Sequence, residues 1–216
     1  MKTWDELRRQ MVDRQLRKRG IRNERVLKAM KTVPRHEFVP PASRHRAYAD
    51  EPEPIGASQT ISQPYMVAAM AEALNLEEND HVLEVGAGSG YAAAVMAMLA
   101  EHIYAMEIEP ALVNSARDNL ARTGFGEGVS VISGDGTLGY PQAAPFQAIS
   151  VAAAAPGVPP ALLEQLDEDG GRLVIPVGSV YDQKLRLIRK IGAKLDTKLI
   201  TSCRFVPLRG KQGWKS

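Results

Sequence analysis

The stretch HVLEVGAGSGYAAAV, residues 81–95, decides the fold. Its first five residues are mostly apolar, which is typical of a buried strand, and glycines then alternate at positions 86, 88 and 90 before an alanine-rich helical segment. Glycine lets the backbone pass close to a ligand, and the start of the following helix offers unpaired amides. We therefore expect an α/β protein with a ligand-binding turn after this strand.

The same alternation of strand and helix continues downstream. Strand-like runs lie at 81–85, 102–108, 129–133, 146–152 and 172–177, and helical stretches lie at 91–100, 110–122 and 159–166. This order predicts a Rossmann-like α/β fold with a doubly wound, mostly parallel sheet. Two more runs, at 184–191 and 198–208, have no helix between them, which predicts an antiparallel pair at the sheet edge.

The first 80 residues are organised differently. Thr3 with Glu6 forms a capping-box signature at the start of a helix, and Asn23 begins a second helix that Pro34 stops. Residues 37–62 form a long connection that we expect to pack over a functional site, and a helix follows at 65–74. We predict that residues 1–80 form a helical cap and substrate loop in the same domain as the core of residues 81–216.

Composition limits the class of protein. The 216 residues are 44% apolar and 24% charged, as in ordinary globular domains, and no apolar run approaches the ~20 residues of a membrane span. The charged N-terminus lacks the apolar segment of a signal peptide, so we expect a cytoplasmic protein without a membrane partner. The single cysteine, Cys203, excludes an internal disulfide, and the scattered histidines show no metal-ligand spacing, so no metal is expected.

Positive charge is concentrated near the N-terminus. Up to Arg35 the chain has twelve Lys and Arg against four Asp and Glu. A basic face of this kind suits nucleic acid or an acidic partner, but aromatic residues for base stacking are not interleaved with it. We therefore favour a solvated helix surface, expect no nucleic-acid partner, and expect a monomer.

The residues that follow each strand indicate a cofactor. The turn has the form E-x-G-x-G-x-G. The dinucleotide fingerprint G-x-G-x-x-G would require its last glycine at position 91, where this chain has Tyr91. This form resembles the first motif of Rossmann-like S-adenosylmethionine-dependent methyltransferases. Glu107 ends the second strand, where a carboxylate can accept hydrogen bonds from ribose hydroxyls, and Asp135 follows the third strand, where it suits an adenine amino group. The predicted cofactor-binding residues are Glu84, Gly86, Gly88, Ser89, Gly90, Glu107, Asp135 and Gly136.

Several longer blocks identify a family. They are PRHEFVP (34–40), AYADEPEPIGASQTISQPYMVA (47–68), VLEVGAGSGYAAAV (82–95), GDG (134–136), AAAP (153–156), GGRLVIPVG (170–178) and RFVPLRG (204–210). In order and spacing they resemble the protein-L-isoaspartate O-methyltransferase family over nearly the whole chain. The resemblance implies methylation, by S-adenosylmethionine, of the abnormal carboxylate of L-isoaspartyl residues in damaged proteins. The ester would then form a succinimide, part of which reopens as normal aspartate.

This chemistry explains a candidate substrate loop that contains neither histidine nor cysteine. A carboxylate with an ordinary pKa of about 4 is already ionised at neutral pH, so it needs placement rather than a general base. Residue chemistry alone favours Ser62 as the N-cap of the following helix, whereas the resemblance implies that Ser62 is the catalytic residue. The predicted substrate-binding residues are Ile55, Gln59, Thr60, Ile61, Val206, Pro207 and Leu208, the last three from an edge segment that would hold the peptide extended.

Departures and alternatives remain. Gln147, Ser150 and Ala152 differ from the residues usual in the family, and we expect them to adjust activity rather than abolish it. The alternatives are a carboxyl methyltransferase acting on another peptide aspartate and a non-catalytic S-adenosylmethionine-binding module. An RNA methyltransferase is disfavoured because the chain has neither an N-P-P-Y-type loop nor a catalytic cysteine near the fourth strand.

Overall fold

The computed structural model describes residues 2–215, so the outermost residues of the predicted segments 1–80 and 81–216 lie outside it. The α-helices are α1 (Trp4–Met11), α2 (Glu24–Thr32), α3 (Pro64–Leu74), α4 (Tyr91–Met96), α5 (Pro110–Thr123) and α6 (Pro160–Glu164). The strands are β1 (Glu53–Gly56), β2 (Gln59–Ile61), β3 (His81–Val85), β4 (His102–Glu107), β5 (Val129–Ser133), β6 (Ala148–Val151), β7 (Asp169–Gly178), β8 (Gln183–Ile191) and β9 (Lys194–Cys203).

The main sheet has the order β5-β4-β3-β6-β7-β8-β9. Strands β3 to β7 run parallel to one another, and β8 and β9 add an antiparallel edge. The chain winds outward from β3 to β5 and then returns to place β6 on the other side of β3. The strand order therefore reverses between β3 and β6, and ligands of open α/β sheets bind at such a crevice, beyond the carboxyl ends of the strands.

This arrangement confirms the predicted doubly wound sheet with an antiparallel edge. The bounds of β3 and β5 agree with the sequence patterns, whereas α4 and α6 are shorter than predicted. The last strand of this edge is present, but its predicted bounds of 198–208 were wrong, because β9 begins at Lys194 and ends at Cys203. Its first half is polar and exposed, and it is held by pairing with β8 across the turn at Gly192.

The two faces of the sheet bury different side chains. Val82, Ile103 and Val174 belong to a hydrophobic cluster that includes residues of α2, α3 and α4, while Leu83 and Ile149 point into a second cluster beside α6. Because side chains alternate along a strand, each buried strand supplies both clusters. The cap thus shares its core with the sheet.

The predicted helix starts in the cap are confirmed. The Thr3 hydroxyl accepts from the Glu6 amide at 3.2 Å and the Glu6 carboxylate accepts from the Thr3 amide at 2.8 Å, a complete capping box. Asn23 caps α2 through the amides of Arg25 and Val26. Among the described residues, none of the helices combines the length and apolar character needed to cross a bilayer.

The long connection at 37–62 contains a β-hairpin that the sequence patterns did not predict. Strands β1 and β2 pair antiparallel, and the turn between them places Ala57 and Ser58 at φ of 49° and 56°. Alanine and serine rarely adopt the left-handed region. The turn also lacks the Asn-Gly or Asp-Gly pair that indicates a short hairpin in a sequence. The hairpin leads directly into α3 and lies beside the crevice between β3 and β6.

Candidate active site

Segments from six parts of the chain line a cavity at the carboxyl ends of β3 and β4, with about 780 Å³ of space when the solvent at its mouth is included. The predicted site residues that line it are Gln59, Thr60, Ile61, Ser62, Glu84, Gly86, Gly88, Ser89, Glu107, Gly136, Val206, Pro207 and Leu208. Three predicted residues, Ile55, Gly90 and Asp135, do not line this cavity.

The glycine turn is fastened to β4 through its backbone. The amides of Gly86 and Ala87 donate to the Met106 carbonyl at 2.9 and 3.0 Å, and Gly86 and Gly88 have φ of +93° and +55°. Alanine at such φ values is strained, so glycine is required for this path. The turn therefore presents backbone to the cavity with no side chain in between at these positions.

Glu107 connects the turn to the end of β4. One carboxylate oxygen accepts from the Gly88 amide at 2.9 Å and the other accepts from the Glu109 amide at 3.0 Å. An ionised carboxylate has about four acceptor positions, so these bonds leave capacity for further donors. Glu107 lines the cavity, and this agrees with a role in binding hydroxyl groups of a ligand.

Glu84 is the most deeply buried acid of the cavity. Its side chain is 1% exposed, and its Oε2 has no hydrogen-bond partner among residues 2–215. Burial, together with the negative charge of Glu107, raises the pKa of Glu84 well above its ordinary value. Burial therefore disfavours the charged form of this carboxyl group, and a cation or hydrogen-bond donor in the cavity would favour it.

The predicted residues outside the cavity have other contacts. A Cβ built on Gly90 would lie 3.2 Å from Leu120 Cγ, so this glycine allows the turn to pack on α5. A Cβ on Gly88 would lie 3.2 Å from Ile55 Cδ1, which places Ile55 of β1 against the turn behind the cavity wall. The prediction that Ile55 contacts substrate remains untested.

Asp135 makes contacts within the protein. Its Oδ1 accepts from the amide and hydroxyl of Thr137 at 2.9 and 2.6 Å, and its Oδ2 accepts from the Lys211 amide at 2.8 Å. Burial alone would raise the pKa of Asp135, but these hydrogen bonds outweigh it and hold that pKa below its ordinary value. Adenine recognition by Asp135 stays a prediction, and its three hydrogen bonds leave less acceptor capacity than the two of Glu107 do.

The substrate side of the cavity is formed by β2 and the residues before α3. Helix α3 begins at Pro64, its N-cap position is Gln63, and no side chain caps it. The interpretation of Ser62 as a helix cap is therefore wrong, and its half-buried hydroxyl makes no hydrogen bond among the described residues. Ser62 is thus available to a ligand in the cavity.

The C-terminal tail closes the cavity from the other side. The Val206 carbonyl accepts from the Ala154 amide, and the Leu208 amide donates to the Ala154 carbonyl, each at 2.8 Å. Trp214 Nε1 donates to the same carbonyl at 2.8 Å. Residues 206–208 therefore lie beside the turn after β6 rather than in an edge strand, and the Val206 carbonyl and Leu208 amide already have partners.

Sequence reasoning missed several lining residues, which are Val67, Val85, Ala87, Tyr91, Ala92, Met106, Ile108, Ala153 and Arg209. Most of them adjoin predicted site residues. Ile108 directly follows Glu107, and this position beside a predicted cofactor-binding residue would have been a usable signal. Arg209 lies 3.6 Å from Glu109, so this ion pair joins the tail to the start of α5.

The three departures from the family pattern differ in position. Gln147 accepts from the His81 amide and donates to Asp167, both at 2.9 Å, so it joins β3 to the loop before β7. Ser150 is buried in β6. Ala152 lines the cavity, and its Cβ would be 3.7 Å from a Cβ built on Gly86.

Cys203 and the histidines lie outside this cavity. Burial raises the pKa of the Cys203 thiol to about 11, so the thiol is neutral and unreactive at physiological pH. Across residues 2–215, His, Cys, Asp and Glu side chains do not gather in groups of metal-ligand geometry.

Comparison with known proteins gives consistent matches. The family model described as protein-L-isoaspartate(D-aspartate) O-methyltransferase matches residues 7–213. A protein-L-isoaspartate O-methyltransferase of Methanoregula boonei is 52% identical over 209 residues, covering 97% of this chain and 95% of that protein. Protein-L-isoaspartate O-methyltransferase 2 of Marinobacter nauticus is 53% identical over 211 residues, with coverage of 97% and 95%.

Solved structures show the same likeness. A protein-L-isoaspartate O-methyltransferase structure superposes with a TM-score of 0.82 at 28% identity and covers 98% of this chain and 67% of that one. An S-adenosylmethionine-dependent O-methyltransferase of Thermotoga maritima superposes with a TM-score of 0.50 at 19% identity, over 66% of this chain and 63% of that one. The second likeness concerns the fold alone.

Proposed function

The chain belongs to the protein-L-isoaspartate(D-aspartate) O-methyltransferase family, and on that premise we propose that Ser62 and Thr60 place the substrate carboxylate for methyl transfer. The enzyme transfers a methyl group from S-adenosylmethionine to the free carboxylate of L-isoaspartyl residues in proteins and peptides. One observation carries the residue assignment: both hydroxyl side chains line the same cavity as the glycine turn.

S-adenosylmethionine is the cofactor, and it supplies a methyl group made electrophilic by a positively charged sulfur. The cavity has groups that suit it. Glu107 keeps acceptor capacity for the ribose hydroxyls, and the unpartnered Oε2 of Glu84 suits the amino group. Gly86 and Gly88 let the backbone lie against the ligand, and Ser89 and Gly136 complete the wall. Asp135 and Gly90 would support this wall from behind.

The reaction requires no general base from the protein. The isoaspartyl carboxylate is ionised at neutral pH, since its ordinary pKa is about 4. The protein must instead hold one carboxylate oxygen in line with the methyl group and remove part of its water. Hydroxyl donors suit this role, because a fixed cation would bind the carboxylate more strongly and weaken it as a nucleophile. The absence of any hydrogen bond from Ser62 to the described chain supports its availability for this contact.

The peptide on either side of the isoaspartyl residue needs its own support. We assign this role to Gln59 and Ile61 of β2, with Ile55 behind them, and to Val206, Pro207 and Leu208 of the tail. The tail is fixed by its hydrogen bonds to Ala154, so it offers a preformed wall. A backbone amide nitrogen of the substrate then attacks the ester carbonyl, so that methanol leaves and a succinimide forms. Hydrolysis of the succinimide returns part of the substrate to aspartate.

The experiment that tests this function is transfer of a labelled methyl group from S-adenosylmethionine to a synthetic isoaspartyl peptide, beside its normal aspartyl twin. Base-released methanol distinguishes an ester from other methylated products. We expect label in the isoaspartyl peptide alone. Label in neither peptide, with cofactor binding intact by calorimetry, would contradict the proposal and favour another carboxylate substrate or a binding module.

The remaining proposals concern the whole protein. We propose a single domain, because the cap and the sheet share one hydrophobic cluster. We also propose that the protein is a monomer. We propose a cytoplasmic location, which fits the lone cysteine. We also propose that the protein has no nucleic-acid partner, because basic side chains of the cap bind other groups of the protein. For example, Arg17 pairs with Glu24, and Arg25 donates to the carbonyls of Leu76 and Leu99.

A further inference from the structure

A groove of about 1410 Å³ continues from the substrate side of the active site. It shares Thr60, Val206 and Pro207 with the cofactor cavity and reaches Val180 and Arg19 at its far end. A smaller pocket at the junction is lined by both Ser62 and Arg204. A peptide whose isoaspartyl carboxylate meets Ser62 therefore has room for its neighbouring residues along this groove.

The charge in the groove is unbalanced. Its lining includes the guanidinium groups of Arg19 and Arg204 and, within residues 2–215, no carboxylate. Arg19 is already engaged, since it pairs with Asp50 and lies 3.5 Å over the ring of Tyr65. Arg204 is exposed and makes no ion pair or side-chain hydrogen bond with the described chain. Arg204 is therefore the cation of the groove that remains free to meet a substrate charge.

Neighbouring charges do not cancel that of Arg204. Lys184 donates to the Ser202 hydroxyl at 3.0 Å behind the groove and pairs with Asp182 at 3.1 Å, so this pair is neutral overall. The thiol of Cys203 is neutral because burial raises its pKa to about 11. Among the described residues that line the groove, Arg204 therefore carries the unpaired charge.

The backbone fixes the position of Arg204. It stands between the end of β9 and Phe205, whose amide donates to Gln183 Oε1 at 2.6 Å and whose carbonyl accepts from Gln183 Nε2 at 3.2 Å. Gln183 is 3% exposed, so this clamp is rigid. The guanidinium group of Arg204 therefore extends from a fixed backbone position beside the substrate side of the active site.

We propose that Arg204 is a specificity-determining residue that favours isoaspartyl substrates with an acidic side chain next to the damaged residue. This inference rests on the proposed function and names the class of substrate that the site prefers. An exposed ion pair of this kind changes KM by about two- to fivefold and leaves kcat unchanged. The preference weakens as salt is added, because exposed charges are screened.

The test compares isoaspartyl peptides that are identical except for Glu, Gln or Lys at a flanking position, placed in turn on each side. We expect the wild type to rank them Glu, Gln, Lys by kcat/KM, through KM, on one side of the isoaspartyl residue. Arg204→Ala should remove the ranking, Arg204→Lys should retain it, and Arg204→Glu should reverse it. Arg9→Ala is the matched control, since Arg9 is an exposed arginine of α1 away from the groove.

Two results would overturn the inference. One is an unchanged ranking in Arg204→Ala, and the other is an equal loss for all three peptides, which would mean that Arg204 acts on the reacting carboxylate or on the fold. Melting temperatures of each variant separate a loss of folding from a loss of preference. Failure of the proposed function is distinct, because the wild type would then methylate none of the three peptides.

Discussion

Ser62→Ala separates a role in substrate placement from a role in folding. The hydroxyl is half-buried, lines the active-site cavity and makes no hydrogen bond with residues 2–215. The helix after it is capped by no side chain, so removal of the hydroxyl breaks no contact that holds α3. We therefore expect the free energy of unfolding to change by no more than about 0.5 kcal/mol, or about 2 °C in melting temperature.

The expected effect on activity is much larger. A hydrogen bond to a charged group contributes about 1.5–3 kcal/mol, so its loss at the substrate carboxylate lowers kcat/KM by about 10- to 150-fold. Because Ser62 is not expected to contact the cofactor, the dissociation constant of S-adenosylmethionine should stay within about twofold, a factor that corresponds to about 0.4 kcal/mol. Ser62→Thr keeps a hydroxyl and should retain more of the turnover than Ser62→Ala.

The assay is labelled-methyl transfer to an isoaspartyl peptide at varied peptide concentration, with calorimetric cofactor binding and thermal unfolding of each variant. Ser43→Ala is the matched control, since Ser43 is also half-buried and its hydroxyl makes no hydrogen bond in the described chain. A fall of several degrees in melting temperature with unchanged turnover would refute the reasoning and make Ser62 structural. An equal loss of turnover in Ser43→Ala would refute it as well.

Two further variants test the cofactor side. The pKa of Glu84 is raised in the folded state, so its contribution to stability is complete below about pH 4.5 and is lost as pH rises through the folded-state pKa. We therefore expect the melting temperature of the cofactor-free wild type to fall relative to that of Glu84→Gln as the pH is raised from acidic to alkaline. A difference between the two proteins that is flat with pH would contradict this. Gly88→Ala places alanine at φ +55°, which costs about 1–2 kcal/mol, and its Cβ would meet Ile55 Cδ1 at 3.2 Å. We expect calorimetry of Gly88→Ala to show a melting temperature about 2–8 °C lower than that of the wild type, and weaker cofactor binding. Adding Ile55→Val should partly restore the melting temperature. An unchanged melting temperature in Gly88→Ala would argue against strain.

The parallel strands were predictable because burial on both faces makes them nearly continuous apolar runs. His81–Val85 was located from such a run, and the half-buried edge strand Val129–Ser133 was located from its β-branched residues. The hairpin at 53–61 was not, since its strands are only three to four residues long and its turn uses Ala57 and Ser58 in left-handed conformations. The start of β9 was missed for a different reason, because its polar, exposed first half is ordered by pairing with β8 rather than by its own pattern.

The site was predictable to the extent that it follows strand ends. The glycine turn and Glu107 reach the cavity because parallel strands deliver their carboxyl ends to one edge. Asp135 follows a strand end too, yet its oxygens accept hydrogen bonds from Thr137 and Lys211. Lys211 is 76 residues away in the chain, so no local sequence pattern shows this contact. Arg209 likewise reaches the cavity only because the tail folds back beside Ala154.

Two polar groups without partners in the described chain, Glu84 Oε2 and the Ser62 hydroxyl, line the same cavity. Leaving a buried acceptor unpaired costs about 1–3 kcal/mol, and the folded chain alone recovers none of it at Glu84. On the proposed site assignment, a cationic, hydrogen-bond-donating cofactor would recover that free energy at Glu84, and a carboxylate substrate would use the donor at Ser62. Without ligands, these two groups therefore lack hydrogen-bond partners. One is an acceptor and the other a donor, which are the groups that a cationic cofactor and a carboxylate substrate require.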